Sequence, residues 1–140
     1  MIAANLAGAL IGRLRGSGCR TELGSGAAPL RQQRNTARIP DASIRCGEHL
    51  RVVFEVISPS ELRHWRDRDQ KRRDLQDVEG VLEIVEVYQA EAAVHVFRRA
   101  DDGSWSFIAI DGLDAVLRLE SVGIELPLAE IYEGLEDLPE

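Results

Sequence analysis

From Val52 to Ile57 the chain reads Val-Val-Phe-Glu-Val-Ile, and Glu55 is the one residue in that run that is not apolar. Side chains alternate between the two faces of a strand, so a run apolar at both parities needs cover on both faces. The segment Arg51–Ile57 is therefore expected at the centre of a sheet with further layers on each side. Burying a lone carboxylate there costs several kcal/mol unless a cation or hydrogen bonds compensate. Any fold of this chain must supply Glu55 with such a partner.

The flanking residues suggest where a partner comes from. Ser58-Pro59-Ser60 stops the strand, Ser60 can cap a helix, and Glu61 suits the helix's positive end. At 100° per residue Asp67, Lys71, Leu75 and Val78 share one stripe. Its apolar end should meet the sheet, which directs Asp67 and Lys71 at the same sheet and brings Lys71 towards Glu55. Upstream, Pro40 can open a strand reaching about Arg45, because no ladder donor is needed there. Asp41 then gives a second strand its own carboxylate.

The remaining elements follow from periodicity. Ile2, Leu6, Ala9, Leu10 and Leu14 have helical spacing, and Gly16-Ser17-Gly18 ends that run. Residues 19–38 are weakly patterned. A short strand at Cys19–Leu23 is expected to pair poorly, with few β-branched residues to hold it. After Gly80 come three β-type runs, Val81–Tyr88, Ala93–Arg98 and Trp105–Ile110, with Asp101-Asp102-Gly103 turning between the last two. Two shorter apolar runs, Ala115–Leu119 and Val122–Leu126, precede a short helix opened by Pro127.

Two carboxylates on adjacent strands with a lysine nearby form a set that can cleave phosphodiesters with a divalent metal. Mg²⁺ takes oxygen ligands, and the developing phosphate charge needs a cation. In this reading Asp41 and Glu55 bind the ion, the Val56 carbonyl adds a ligand, and Lys71 orients or helps deprotonate the water. The same residues also admit a purely structural account. Asp41 can be a strand-start residue, Glu55 can pair with an arginine, and Asp67 with Lys71 is an ordinary i,i+4 ion pair of about 0.2–0.5 kcal/mol. One detail favours the chemical account: Lys71 is the only lysine beside sixteen arginines. Its compact ammonium with a tunable pKa does work that guanidinium cannot.

At 140 residues the chain has room for one domain. No apolar run approaches the roughly 18 residues of a membrane span. The opening Met1–Ile11 lacks the basic residues that precede the apolar stretch of a signal peptide, so it reads as a folded helix. Two cysteines, Cys19 and Cys46, make no disulfide framework, which points to a reduced, cytoplasmic setting. The histidines His49, His64 and His95 are scattered and show no zinc spacing. The net charge of −7 divides unevenly. Residues 1–73 carry fourteen Arg/Lys against seven Asp/Glu, and residues 74–140 carry three against seventeen. A basic region within an acidic protein can face nucleic acid, or opposite halves can meet in a dimer.

Pro40-Asp41, then Phe54-Glu55-Val56-Ile57-Ser58-Pro59-Ser60, then Asp67 to Lys71, resemble the Uma-two family of restriction-endonuclease-like proteins in the PD-(D/E)XK nuclease superfamily. The likeness extends through Asn5-Leu6-Ala7, Gly18-Cys19, Gly112-Leu113-Asp114 and the ending Gly123 to Tyr132. It implies an α/β (mixed α+β) restriction-endonuclease-like core, a mixed central sheet flanked by helices, over residues 1–140 as a single domain. It also implies Asp41 and Glu55 as metal ligands for Mg²⁺ or Mn²⁺. Two positions after the glutamate, where the superfamily usually has lysine, stands Ile57; the lysine is supplied instead from the following helix, at Lys71. Similar proteins begin with a further helix and an acid-bearing hairpin, so Met1 corresponds to an internal position and this chain resembles an N-terminally truncated member.

The function expected on these grounds is Mg²⁺-dependent hydrolysis of DNA by a homodimer, with no membrane partner. The competing expectation is an inactive truncated relative that serves as a DNA-binding or dimerisation module.

Overall fold

Both faces of the apolar run are covered. In the computed structural model, which describes residues 1–24, 28–29 and 37–135, it lies in strand β5 (His49–Ile57). Before it come α1 (Ile2–Leu14), β1 (Cys19–Leu23), the two-residue pair β2 (Ala28–Pro29) and β3 (Ala37–Arg38), and β4 (Ala42–Cys46). After it come α2 (Pro59–Arg63), α3 (Trp65–Gln76), β6 (Glu83–Tyr88), β7 (Ala93–Arg99), β8 (Trp105–Asp111), β9 (Val116–Leu119), β10 (Ile124–Pro127) and α4 (Leu128–Ile131). Among the described residues, six strands form one mixed sheet in the order β1-β4-β5-β6-β7-β8. The β5–β6 pair is parallel and the others are antiparallel. A parallel pair needs a crossover, and α2 and α3 make it.

The parity of β5 sorts its residues between two cores. Val52 and Phe54 face a cluster with Ile44, Val85, Val87, Val94 and Val96, closed by Leu6 and Leu10 of α1, Leu117 and Leu126 of the β9–β10 hairpin, and Ile131 of α4. Val53 faces a smaller cluster with Leu75, Val78, Val81 and Ile84 beneath α3. Glu55 has the parity of Val53 and so points to the helical side. The first helix and the β-type runs lie where periodicity put them. No helix of the described residues is long and apolar enough to cross a membrane.

Three local expectations are corrected. Strand β1 pairs with β4 over all five residues, from Cys19↔Cys46 to Leu23↔Ala42. Strand propensity reflects packing on neighbours, and α1 supplies it: Cys19 and Cys46 both lie against the larger core. Those cysteines are joined in a disulfide across the two strands. Pairing in register brought together thiols that are 27 residues apart in sequence. Closing a loop of that size contributes about 2–4 kcal/mol. A reductant should therefore lower the melting temperature of the native chain and leave a Cys19→Ser/Cys46→Ser protein unaffected.

The third correction concerns the helix start. Ser58, not Ser60, caps α2: its Oγ accepts from the Glu61 N–H at 3.3 Å, and Pro59 takes the first helical position. Proline is pre-organised for that position, which moves the cap one residue upstream of it. The helical stretch also breaks at His64 into α2 and α3.

Candidate active site

Three carboxylates are buried in the central sheet: Glu55 on β5, and Glu83 and Glu86 on β6. Their surroundings differ sharply. Glu83 accepts from Arg98 Nε at 2.9 Å, from the Ser121 N–H at 2.8 Å, from the Glu120 N–H at 3.2 Å, and from the Ser121 hydroxyl. That is a fully paired structural carboxylate. Glu55 is 7% exposed and has one donor among the described residues, Lys71 Nζ, at 2.8 Å from Oε2. Its other oxygen, Oε1, is buried with no hydrogen-bond partner among the described residues. Burial pushes the Glu55 carboxyl up to about 7; Lys71 pulls against this, while the charges of Asp41 and Glu61 add to the rise.

Asp41 sits just before β4, at the end of the sheet where β5 outruns its neighbour. Its Oδ2 accepts from the Val56 N–H at 2.7 Å. Odd residues of β5 bond to β6, since Arg51 O and Ile57 O accept from Leu82 and Gln89. Even residues therefore address β4, and the Val56 carbonyl points the same way as its N–H, towards Asp41. Lys71 arrives from the second turn of α3, one turn before the buried Leu75 on the same face. Asp67, expected on that stripe, is exposed instead. Lys71 pairs with Glu55 rather than with Asp67, and the helix's own ion pairs run from Asp69 to Arg72 and Arg73.

Glu86 was missed by sequence reasoning. It is the direct neighbour of Glu55 across the parallel ladder and shares its face. Burial raises its pKa as well, opposed by the charges of Arg68 and Arg72. The signal was present: a carboxylate inside an otherwise apolar strand run is what singled out Glu55, and Glu83 and Glu86 interrupt Val81–Tyr88 in the same way. Glu55, Glu61, Arg68, Lys71, Arg72 and Glu86 line one narrow cleft with about 20 Å³ free for a water-sized occupant. That is room for a water or a small ion.

No three His, Cys, Asp or Glu side chains converge as a closed metal site among the described residues. Mg²⁺ does not need one: it is commonly held by one or two carboxylates and completes its shell with water and substrate phosphate. Glu55 offers one unpartnered buried oxygen among the described residues, Oε1, and Asp41 with the Val56 backbone supplies further hard oxygens at the same end of β5, the chemistry such an ion takes.

The whole architecture matches a solved structure from Anabaena variabilis, described as a "putative nuclease belonging to DUF820", with a TM-score of 0.71 over 94% of this chain and 78% of that one, at 15% identity. This chain shares the fold of that protein. No family model matches the sequence, and no curated protein matches it.

Proposed function

We propose that this chain is an endonuclease of the Uma-two type that hydrolyses DNA phosphodiester bonds with Mg²⁺, acting as a homodimer. The observation that carries the reading is the contrast between Glu83 and Glu55. A buried carboxylate with every donor in place holds a fold together. One with a buried oxygen left unpartnered, beside a second carboxylate and a lysine, is held ready for a cation at a cost in stability. The nuclease-like fold supports the same conclusion, and the basic character of residues 1–73 suits a polyanion.

Asp41, Glu55 and the Val56 carbonyl would hold the ion. When bound, the metal acidifies a water ligand and neutralises charge on the phosphate. Hydrolysis would form one P–O bond from water and break the bond to the leaving sugar oxygen, with one proton passing from the attacking water to solvent and one taken up by the sugar oxygen. Lys71, as an ammonium against Glu55, donates to a non-bridging phosphate oxygen and helps orient the attacking water. Its charge is worth most where α3 and the sheet exclude solvent.

The test is cleavage of supercoiled plasmid with and without Mg²⁺. Asp41→Asn, Glu55→Gln and Lys71→Ala should each reduce the rate by about 10²-fold or more while the proteins keep a cooperative melt. Cleavage that survives all three changes overturns the proposal. Binding of DNA with neither cleavage nor metal dependence would establish the inactive-module alternative.

A further inference from the structure

Beyond the cleft, the helical side of the sheet carries an aromatic row over β7 and β8 that, among the described residues, runs from half-buried Phe97, packed on the smaller core, to exposed Phe107. The ladder runs Glu55↔Glu86↔His95↔Ala109, so these four share one line across one face. Tyr88 meets His95 edge-on with ring centroids 4.7 Å apart, and its hydroxyl lies 2.9 Å from His95 Nδ1. His95 meets Phe107 at 5.0 Å, and Phe107 meets Phe97 at 5.1 Å. Phe107, on the edge strand, is 55% exposed. A chain of rings thus begins beside the cleft and ends open to solvent.

Cations join the two regions. Arg72 lines the cleft and also stacks on Phe97, its guanidinium carbon 4.6 Å from the ring centre. Arg68 lines the cleft, and its charge acts on the Tyr88 hydroxyl. Helix α3 carries Arg66, Arg68, Lys71, Arg72 and Arg73 against Asp67, Asp69 and Asp74. Aromatic side chains beside a basic helix are what single-stranded nucleic acid uses: cations follow the phosphates and rings stack on the bases. The dimensions agree. Strands lie about 4.8 Å apart, which puts His95 about 10 Å from Glu55, within the span of a short length of single strand.

We infer that the His95, Phe97 and Phe107 surface stacks unpaired bases of the strand whose phosphate lies at the mouth of the Glu55–Lys71 cleft, so that the substrate is single-stranded or locally opened nucleic acid. This inference rests on the nuclease reading above. It adds what that site takes. Stacking tolerates any base because every base has a π-face, so the surface selects for the unpaired state and carries no sequence code.

The test is fluorescence anisotropy of the full chain, in EDTA so that nothing is cut, with three fluorescein-labelled probes: a twelve-residue oligo-dT, an abasic backbone of equal length, and a blunt duplex. The native chain should hold oligo-dT on the order of tenfold more tightly than the abasic strand. Phe107→Ala should erase that difference, Phe107→Trp should keep it, and both proteins should melt like the native chain. Equal affinity for the abasic strand, or an unchanged preference in Phe107→Ala, overturns the inference. So does a drop in solution mass on Phe107→Ala, which would assign the surface to a second copy of the chain. Plasmid cleavage in parallel separates the two readings. If Phe107→Ala cuts duplex as the native chain does and Glu55→Gln does not, the stacking surface falls and the nuclease stands. If the native chain binds none of the probes, and cuts nothing, both fall.

Discussion

Glu55→Gln should make the metal-free protein more heat-stable at pH 8, leave it nearly unchanged at pH 4.5, and abolish cleavage. Burial raises the Glu55 carboxyl from 4.5 to about 7. Between those values the folded state binds a proton that the unfolded state has released. Stability from this group is therefore fully present below about pH 4.5 and is lost as pH rises through 7. The loss is on the order of 3 kcal/mol by linkage, and it is constant above that range. Glutamine cannot ionise, can still accept from Lys71, and removes the penalty. Lys71 has 31% of its side chain exposed and can be hydrated when its anion goes. The difference in melting temperature between variant and native protein, followed from pH 4.5 to 8.5, isolates this group from others that titrate. It should grow to several degrees at the alkaline end. A flat or falling difference would mean that Glu55 is a paired structural carboxylate like Glu83. Mg²⁺ should narrow the gap by stabilising only the native protein, through the ligand it binds when folded.

The second large effect has the opposite sign. Glu83→Ala should destabilise the chain by about 3–5 kcal/mol, because removing one partner of a buried pair strands the other. Arg98 and the backbone N–H groups of Glu120 and Ser121 lose their acceptor together. These contacts tie the turn between β9 and β10 to the middle of the sheet, so the hairpin that caps the larger core loosens too. Such a loss is a large part of the 5–15 kcal/mol that a domain typically has. Urea unfolding at pH 7 measures it, and Glu83→Gln should fall between, since an amide has one accepting oxygen where the carboxylate has two. Two buried glutamates on adjacent strands thus respond oppositely to substitution, and the difference lies in how many donors each was given.

Periodicity carried much of the architecture. The doubly apolar run at Val52–Ile57 required a central strand with layers on both sides, and Leu75 fixed which face of α3 turned inward, while Val78, expected on the same stripe, is buried just beyond the helix end at Gln76. Lys71 followed from that stripe, because residues four apart on a helix share a face. The placement of Asp67 did not follow, since the same rule leaves the outer end of a stripe free to reach solvent. Proline in the first turn moved the cap to Ser58, an effect of one residue's covalent geometry that spacing cannot resolve.

What the sequence alone determined, then, is the alternation of faces: which residues must be inside, and which carboxylates would be buried with them. Only the tertiary structure decided how those carboxylates were treated. Whether a buried glutamate receives four donors or one depends on the β9–β10 turn, the β6 register and the arrival of α3. Those segments lie up to 38 residues away from the glutamate they serve. The same holds for Cys19 and Cys46, which strand pairing brought into bonding range. Local propensity acts within a few residues, whereas the electrostatic fate of a buried group is set by whatever the fold brings within hydrogen-bond reach.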